Sequence, residues 1–408
     1  MTRNVFVWLH RWVGLLMTVF LIVVGLTGSL LAFNTQLEKL VSPQLFAVKP
    51  TPDAKRLDLA TLAERAEVAQ PHARVAYFSV SDEQAFMHVG PRTDPATGKP
   101  YPLDFNQMFL DPWSGQELGH RRNGDLSQGK INLIPFVYEL HQSLALGETG
   151  AWVLGIVALA WTLDCFYAFY LTCPLALARF FSRWAPAWKI KWPTVAYRLN
   201  LDLHRASGLW LWPLLFVFAW SSVMFNLSSV YEWTTLHLFD YETPEMEISS
   251  AALAVRKEQP RLGWHEALVK SEQVMQKLAR EQDFKILRAT GLAYIAEAGV
   301  YSYSVDADRD ISFGSWGGTG VWIDGDTGEF KKLWSATGEH SGNTVTNWLR
   351  ALHFANIRDW LAYRILVCGI GLVIVLLSVT GVYIWFKKRR ARLSAKQRIA
   401  VVSNGVLP

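Results

Sequence analysis

Four histidines stand in a pattern suited to metal chemistry. His10 lies in "LHRWVGL" and His204 in "LHRASGL"; each is followed four residues later by a glycine, Gly14 or Gly208, and opens a long uncharged run. His141 in "YELHQSL" falls 30 residues beyond Asp111, and His353 in "RALHFAN" falls 29 beyond Asp324. Both precede another apolar run. Imidazole exchanges protons near neutral pH and is a common metal ligand, so the chemistry depends on which elements carry the four rings and at what depth.

Those elements are membrane helices. The chain has 408 residues, of which 51% are hydrophobic and 18% charged, with 19 tryptophans, a composition that excludes an ordinary soluble enzyme. A hydrocarbon core of about 30 Å takes roughly 20 helical residues, and residues 13–33, 149–173, 206–231 and 365–386 each meet that length. Only the second run contains a charge, Asp164. The first is longer than a usual signal-peptide core and has no clean small-x-small cleavage site, so it reads as an anchor.

Basic residues set the orientation. Arg3 and Arg11 precede the first span, Arg179, Arg183, Lys189, Lys191, Arg198 and Arg205 fill the loop between the second and third, and residues 387–390 follow the fourth. The positive-inside rule puts all three segments in the cytoplasm. The expected organisation is a transmembrane helix within 1–33, an exported domain over 34–148, a helix at 149–173, a cytoplasmic loop at 174–205, a helix at 206–231, an exported domain over 232–364, a helix at 365–386 and a cytoplasmic tail at 387–408. Both termini are then cytoplasmic, and membrane lipid is the solvent partner. The net charge of +5 is largely topological; with no basic cluster interleaved with aromatics, no nucleic-acid partner is expected. Cys165, Cys173 and Cys368 all fall in predicted spans, so the exported segments hold no disulfides, and no CxxCH motif offers covalent haem attachment.

The chain reads as two copies of one plan. Each half runs from a histidine at the cytoplasmic edge, through an outward span and an exported segment, to a second histidine and an inward span. The exported segments share an order: a helical pattern ("LDLATLAERAEVA", "HEALVKSEQVMQKLAREQ"), then alternating runs ("RVAYFSVS" and "AFMHVG"; "AYIAEAG" and "VYSYSVDA"), then a hairpin signal ("DPWSG", "DGDTG"). Halves that both begin and end in the cytoplasm are parallel repeats about an axis along the membrane normal. His10 then stands level with His204 and His141 level with His353. Imidazoles facing each other across an axis make a bis-histidine haem site, and two layers imply two non-covalent b-type haems. Gly14 and Gly208, one turn along the same helix faces, leave room for a flat porphyrin.

Alternatives remain at this point. A lone histidine at a span end is ordinarily an interfacial side chain; four at matched depths favour function. Zinc requires a fuller tetrahedral set than two histidines per layer. His72, His88, His120, His237, His265 and His340 read as ordinary surface or core residues. Asp164 is costly near mid-membrane and is expected to face the bundle interior, protonated or bonded to a group such as Ser221 or Ser222, as a polar clasp, a proton-coupling group or a compensator of haem propionates.

"LHRWVGLLMTVFLIVVGLTGSLLAF" and "LLSVTGVYIWFKKRR" resemble the membrane segments of the PepSY-associated transmembrane family, and the exported helix-then-strands modules resemble PepSY domains. The resemblance covers nearly the whole chain. It implies an α-helical membrane protein with four transmembrane helices in two parallel pseudo-repeats, plus two periplasmic α+β PepSY-like domains. Its LHR histidines and glycines carry over to His10 with Gly14 and His204 with Gly208, and its second histidines to His141 and His353. "TLDCFYAFYL" in the second span departs from the small-residue pattern of "SVTGVYIWF" in the fourth. Within the family the chain is most similar to haem-binding, inner-membrane ferric-siderophore reductases. That likeness implies a periplasmic Fe(III)-siderophore as substrate and an unidentified cytoplasmic electron donor; independently of it, the basic and aromatic residues Arg350, Arg358, Trp334 and His340 near the outer histidines are expected to border the docking surface. The competing classes are a haem-free membrane protein whose modules bind peptides or regulate a protease, and a transporter built on parallel repeats.

Overall fold

The computed structural model describes residues 2–242, 257, 259–314, 318–358 and 360–403. Parts of the expected second exported domain and the last residues of the expected tail lie outside the described residues. The helices are α1 (Arg3–Leu31), α2 (Asn34–Val41), α3 (Leu59–Ala69), α4 (Leu133–Ser143), α5 (Gly147–Thr172), α6 (Phe180–Trp184), α7 (Ala196–Trp210), α8 (Trp212–Asn226), α9 (Ser228–Leu238), α10 (Trp264–Glu281), α11 (Ser341–His353) and α12 (Leu361–Ser403). They fall into two compact units. One takes residues 1–32, 139–231 and 364–408; the other takes 33–138 and 232–363.

The first unit is a helical bundle. α1, α5 and residues Leu361–Ala395 of α12 are each long and apolar enough to cross a membrane. α1 buries Met17, Gly25, Thr27 and Ser29 while exposing Leu16, Val19, Leu26 and Leu30. An inner stripe of small and polar residues beneath an apolar surface is the packing expected in lipid, where close backbone approach replaces the hydrophobic drive. A Cβ on Gly25 would lie 2.8 Å from the Gly371 carbonyl oxygen, and the Ser29 hydroxyl donates to the Cys368 carbonyl at 2.9 Å. These contacts fasten α1 to α12. On α5, buried Gly150, Leu154, Gly155, Ala158, Thr162 and Cys165 form the equivalent stripe.

The third span differs from its expected course. Residues 206–231 do not form one straight helix: α7 and α8 meet at a 72° bend. Pro213, in the first turn of α8, has no N–H for the Leu209 carbonyl and its ring crowds that turn, so the ladder breaks there. Each segment of 15 residues covers about 22 Å at 1.5 Å per residue, short of a membrane core. Among the described residues, three helices are therefore long and apolar enough to span without a break, and four if the bent pair counts as one.

The second unit holds two four-stranded antiparallel meanders. The first is β1 (Ala73–Val80), β2 (Ala85–Pro91), β3 (Gln107–Leu110) and β4 (Glu117–Arg121); the second is β5 (Ile286–Ile295), β6 (Val300–Ala307), β7 (Thr319–Asp324) and β8 (Phe330–Trp334). Each follows one helix, α3 or α10, as the repeated sequence order predicts. The closing turns match in detail. Asp111 Oδ1 accepts from the Trp113 and Ser114 amides at 2.7 and 3.2 Å, and Asp324 Oδ1 from those of Asp326 and Thr327 at 2.9 and 3.0 Å. Gly115 and Gly328 sit at φ +71° and +75°, where a side chain is strained.

The two meanders do not stand as separate domains. Phe78, Met87 and Met108 of one module and Met275, Tyr301 and Ile323 of the other belong to a single buried cluster. β1 runs beside β5 so closely that a Cβ on Gly291 would collide with the Phe78 carbonyl oxygen. Abutting these two edge strands shields edges that would otherwise be open to pairing. Residues 139–148, expected in the first exported domain, group with the bundle instead.

Candidate functional site

His10 on α1 and His204 on α7 come together inside the bundle, ring centroids 6.1 Å apart and planes at 60°. Two imidazoles on opposite sides of one metal ion require roughly 6 Å: two metal–nitrogen bonds of about 2 Å plus the distance from each nitrogen to its ring centre. The observed spacing meets that requirement.

Hydrogen bonds from neighbouring helices hold both rings. His10 Nδ1 lies 3.0 Å from each carboxylate oxygen of Asp164 on α5. His204 Nδ1 donates to the Leu377 carbonyl at 3.0 Å and lies 3.1 Å from Thr380 Oγ1 on α12. Thr380 donates its own proton to the Leu376 carbonyl at 2.6 Å, which turns its oxygen toward the imidazole as an acceptor. With Nδ1 engaged, Nε2 is the atom each ring offers a metal, and the bonded partner fixes the tautomer that allows it. Gly381 makes room on α12, since a Cβ there would sit 3.3 Å from His204 Cε1.

Gly14 and Gly208 lie one turn on from the two rings. A Cβ on Gly14 would find no atom within 4 Å, and one on Gly208 only Leu377 Cδ2 at 3.7 Å. Packing among protein atoms does not require glycine at either position, whereas a flat macrocycle laid along the helix would. The donor set, its spacing and this space fit a haem. Among the described residues no three or more His, Cys, Asp or Glu side chains gather where they could hold a bare metal ion.

Asp164 is corrected in its partner. It is buried at 6% exposure and turned into the bundle as expected, but it bonds to His10. The Ser221 and Ser222 hydroxyls instead donate to carbonyls of their own helix, Val217 at 2.7 Å and Phe218 at 2.8 Å. Thr380 and Gly381 are not singled out by the sequence reading. Setting "TLDCFY" against "SVTGVY" places Asp164 opposite Thr380 and Cys165 opposite Gly381, so what reads as a departure between the spans is a matched pair of histidine partners.

His141 on α4 lies against α1. Its Nδ1 is 2.9 Å from Thr27 Oγ1, whose proton goes to the Val23 carbonyl at 2.7 Å, and a Cβ on Gly28 would stand 3.0 Å from its Cε1. His353, the last residue of α11, belongs to the second unit and meets Phe354 edge-on at 5.9 Å.

The remaining histidines have local partners within the second unit. His72 stacks on Tyr101 at 4.0 Å, His88 meets Phe86 edge-on at 4.9 Å, and His120 bonds Glu117 at 2.5 Å. His237 bonds the Trp233 carbonyl at 2.6 Å, and His265 Nε2 reaches Glu64 at 3.3 Å. Trp334 and His340 line one pocket together with Glu242, Lys332 and Asn343. His340 Nδ1 bonds Asp240 at 2.9 Å, and that carboxylate raises its pKa above the ordinary histidine value. Arg358 instead secures a loop through the Asp310 carbonyl at 2.9 Å, and Arg350 reaches Asn347 on its own helix at 3.5 Å.

Fold and site together define a helical membrane protein that anchors imidazoles inside its bundle and carries a two-sheet α+β unit. The family model described as the PepSY-associated TM region matches residues 7–388, and the chain belongs to that family. No curated protein matches it.

Proposed function

We propose that the protein is a haem-dependent oxidoreductase of the bacterial inner membrane, a ferric-siderophore reductase. The observation that carries this reading is the 6.1 Å separation of the His10 and His204 rings, each anchored through Nδ1 by a neighbouring helix. Haem held there would supply one-electron chemistry; the proposed substrate is a periplasmic Fe(III)-siderophore, which on reduction to Fe(II) with an electron of cytoplasmic origin loosens from hard oxygen ligands.

The chain's own residues supply position and insulation. His10 and His204 hold the inner haem, Gly14 and Gly208 leave the helix faces open to it, and the apolar bundle excludes water. His141 and His353 are the proposed ligands of a second, outer haem. The histidine at 141 is oriented by Thr27 in the way that Thr380 orients His204, which supports the same role for it. The basic segments at the two LHR motifs and after α12 support cytoplasmic termini, and the two-sheet unit, with Trp334 and His340 in one pocket, is the proposed siderophore-docking part.

The test is a reduced-minus-oxidised spectrum and a pyridine haemochrome assay on protein purified in detergent, followed by anaerobic mixing of the reduced protein with a ferric hydroxamate and an Fe(II) chelator. Two b-type haems and coloured Fe(II) complex are expected. A colourless protein without a Soret band overturns the reading and leaves the haem-free peptide-binding class.

A further inference from the structure

The two ligands of the inner site are held by unlike partners. His204 donates to neutral oxygens, the Leu377 carbonyl and Thr380 hydroxyl, at 3.0 and 3.1 Å. His10 faces a carboxylate, with both Asp164 oxygens at 3.0 Å. Asp164 is buried, and among the described residues His10 is the side chain it bonds. A structural clasp needs no charge at this place: the other half of the bundle does the same positioning with threonine. An intramembrane carboxylate is costly, so its retention calls for a role that a hydroxyl does not fill.

A carboxylate accepting the Nδ1 proton pushes electron density through the ring to Nε2 and makes the imidazole a more basic ligand. Its negative charge, in low dielectric and one ring away, also favours the more positive oxidation state of a metal held at Nε2. Both effects stabilise Fe(III) relative to Fe(II). The geometry points to Asp164 as a positioning residue that, through His10, lowers the midpoint potential of the inner haem. This inference rests on the haem reading proposed above and deepens it. A low-potential inner haem gives the electron a downhill step toward the outer site, while Thr380 marks how the same position looks without that adjustment.

The experiment is an equilibrium redox titration of the full-length protein in detergent, with haem content measured alongside. The inner component of the two-step curve is identified as the one missing from His204→Ala. Asp164→Asn keeps an acceptor for Nδ1 but removes the charge; it is expected to stabilise inner Fe(II) at least tenfold, which is 59 mV for one electron, with the outer component unmoved. Asp164→Glu should return most of the shift. Thr380→Asp, which adds a carboxylate at the other ligand, should move the inner component tenfold the opposite way. Two haems retained with an unshifted inner component in Asp164→Asn overturns the inference and leaves the haem reading intact. If Asp164→Asn loses the inner haem, Thr380→Asp decides, and an unshifted potential there overturns the inference. A wild-type protein without haem overturns both.

Discussion

Asp164 and Thr380 occupy the same place in the two halves of the bundle: each accepts from Nδ1 of the LHR histidine of its own half, His10 at 3.0 Å and His204 at 3.1 Å. The correspondence is built into the chain twice, once as the histidine and glycine opening a half and once as the partner in its closing span. It gives the two LHR histidines a shared hydrogen-bond geometry at Nδ1, with one partner carrying a charge and the other a hydroxyl.

Loss of haem should follow layers. Replacing His10 or His204 with alanine is expected to take the content from two haems to one by removing the inner one, and replacing His141 or His353 to remove the outer. Pyridine haemochrome stoichiometry and the reduced spectra of the four variants check this. Emptying of the same site by His10→Ala and His141→Ala refutes the pairing.

Gly28 has a different task from the one its position near mid-span suggests. Glycines at 25 and 28 would open a gap on α1, yet the His141 ring fills the space at Gly28 and Gly371 that at Gly25. Gly28→Leu is therefore expected to displace His141 and empty the outer site while the inner haem stays. An absorbance spectrum with both haems retained and an unchanged rate of oxidation by ferric substrate contradicts this.

Much of the architecture was legible because it is carried by periodicity. Apolar runs marked α5 and α12 to within four residues of their starts and α1 to within two of its end, its start lying ten residues earlier than the run, and Asp-to-Gly turns marked both closing hairpins. What escaped depends on contacts between distant segments. Pro213 is visible in the chain, but a run of apolar residues on both sides of it reads as one span until the lost Leu209 bond is considered. The fusion of the two sheet modules rests on Gly291 passing beside Phe78, which no local pattern announces. For the site, the histidines stood out by spacing alone, while Thr27, Thr380 and Gly381 are residue types common in any membrane helix and acquire meaning only against a ring.

The shared core of the second unit makes Gly291 a sensitive position. A Cβ there collides with the Phe78 carbonyl oxygen on the other module, and backbone on both sides leaves little room to yield. Gly291→Ala is expected to cost about 1–3 kcal/mol, the usual penalty of overpacking. Hydrogen exchange should show protection falling in α3 and α10 together, because both cover the same cluster. Loss confined to β5 and α10 implies modules that fold independently.

The last prediction concerns pH at the pocket holding Trp334. His340 bonds Asp240 at 2.9 Å and has Glu242 3.8 Å from its Nε2, and the Asp240 contact raises its pKa above the ordinary value. A histidine whose folded pKa exceeds its unfolded one stabilises the fold fully below the unfolded pKa, about 6.5, and loses that contribution as pH rises through the folded value. Because the imidazole is 31% and Asp240 69% exposed, solvent screens the pair, and its worth is no more than about 1 kcal/mol. Histidine ring signals followed by NMR should place the His340 midpoint above that of an exposed histidine, and Asp240→Asn should bring it down. The same variant should lower the stability of α11 at pH 6, where the imidazolium is present, and leave it unchanged at pH 9. An effect equal at both pH values assigns the contact a packing role in place of an ionic one.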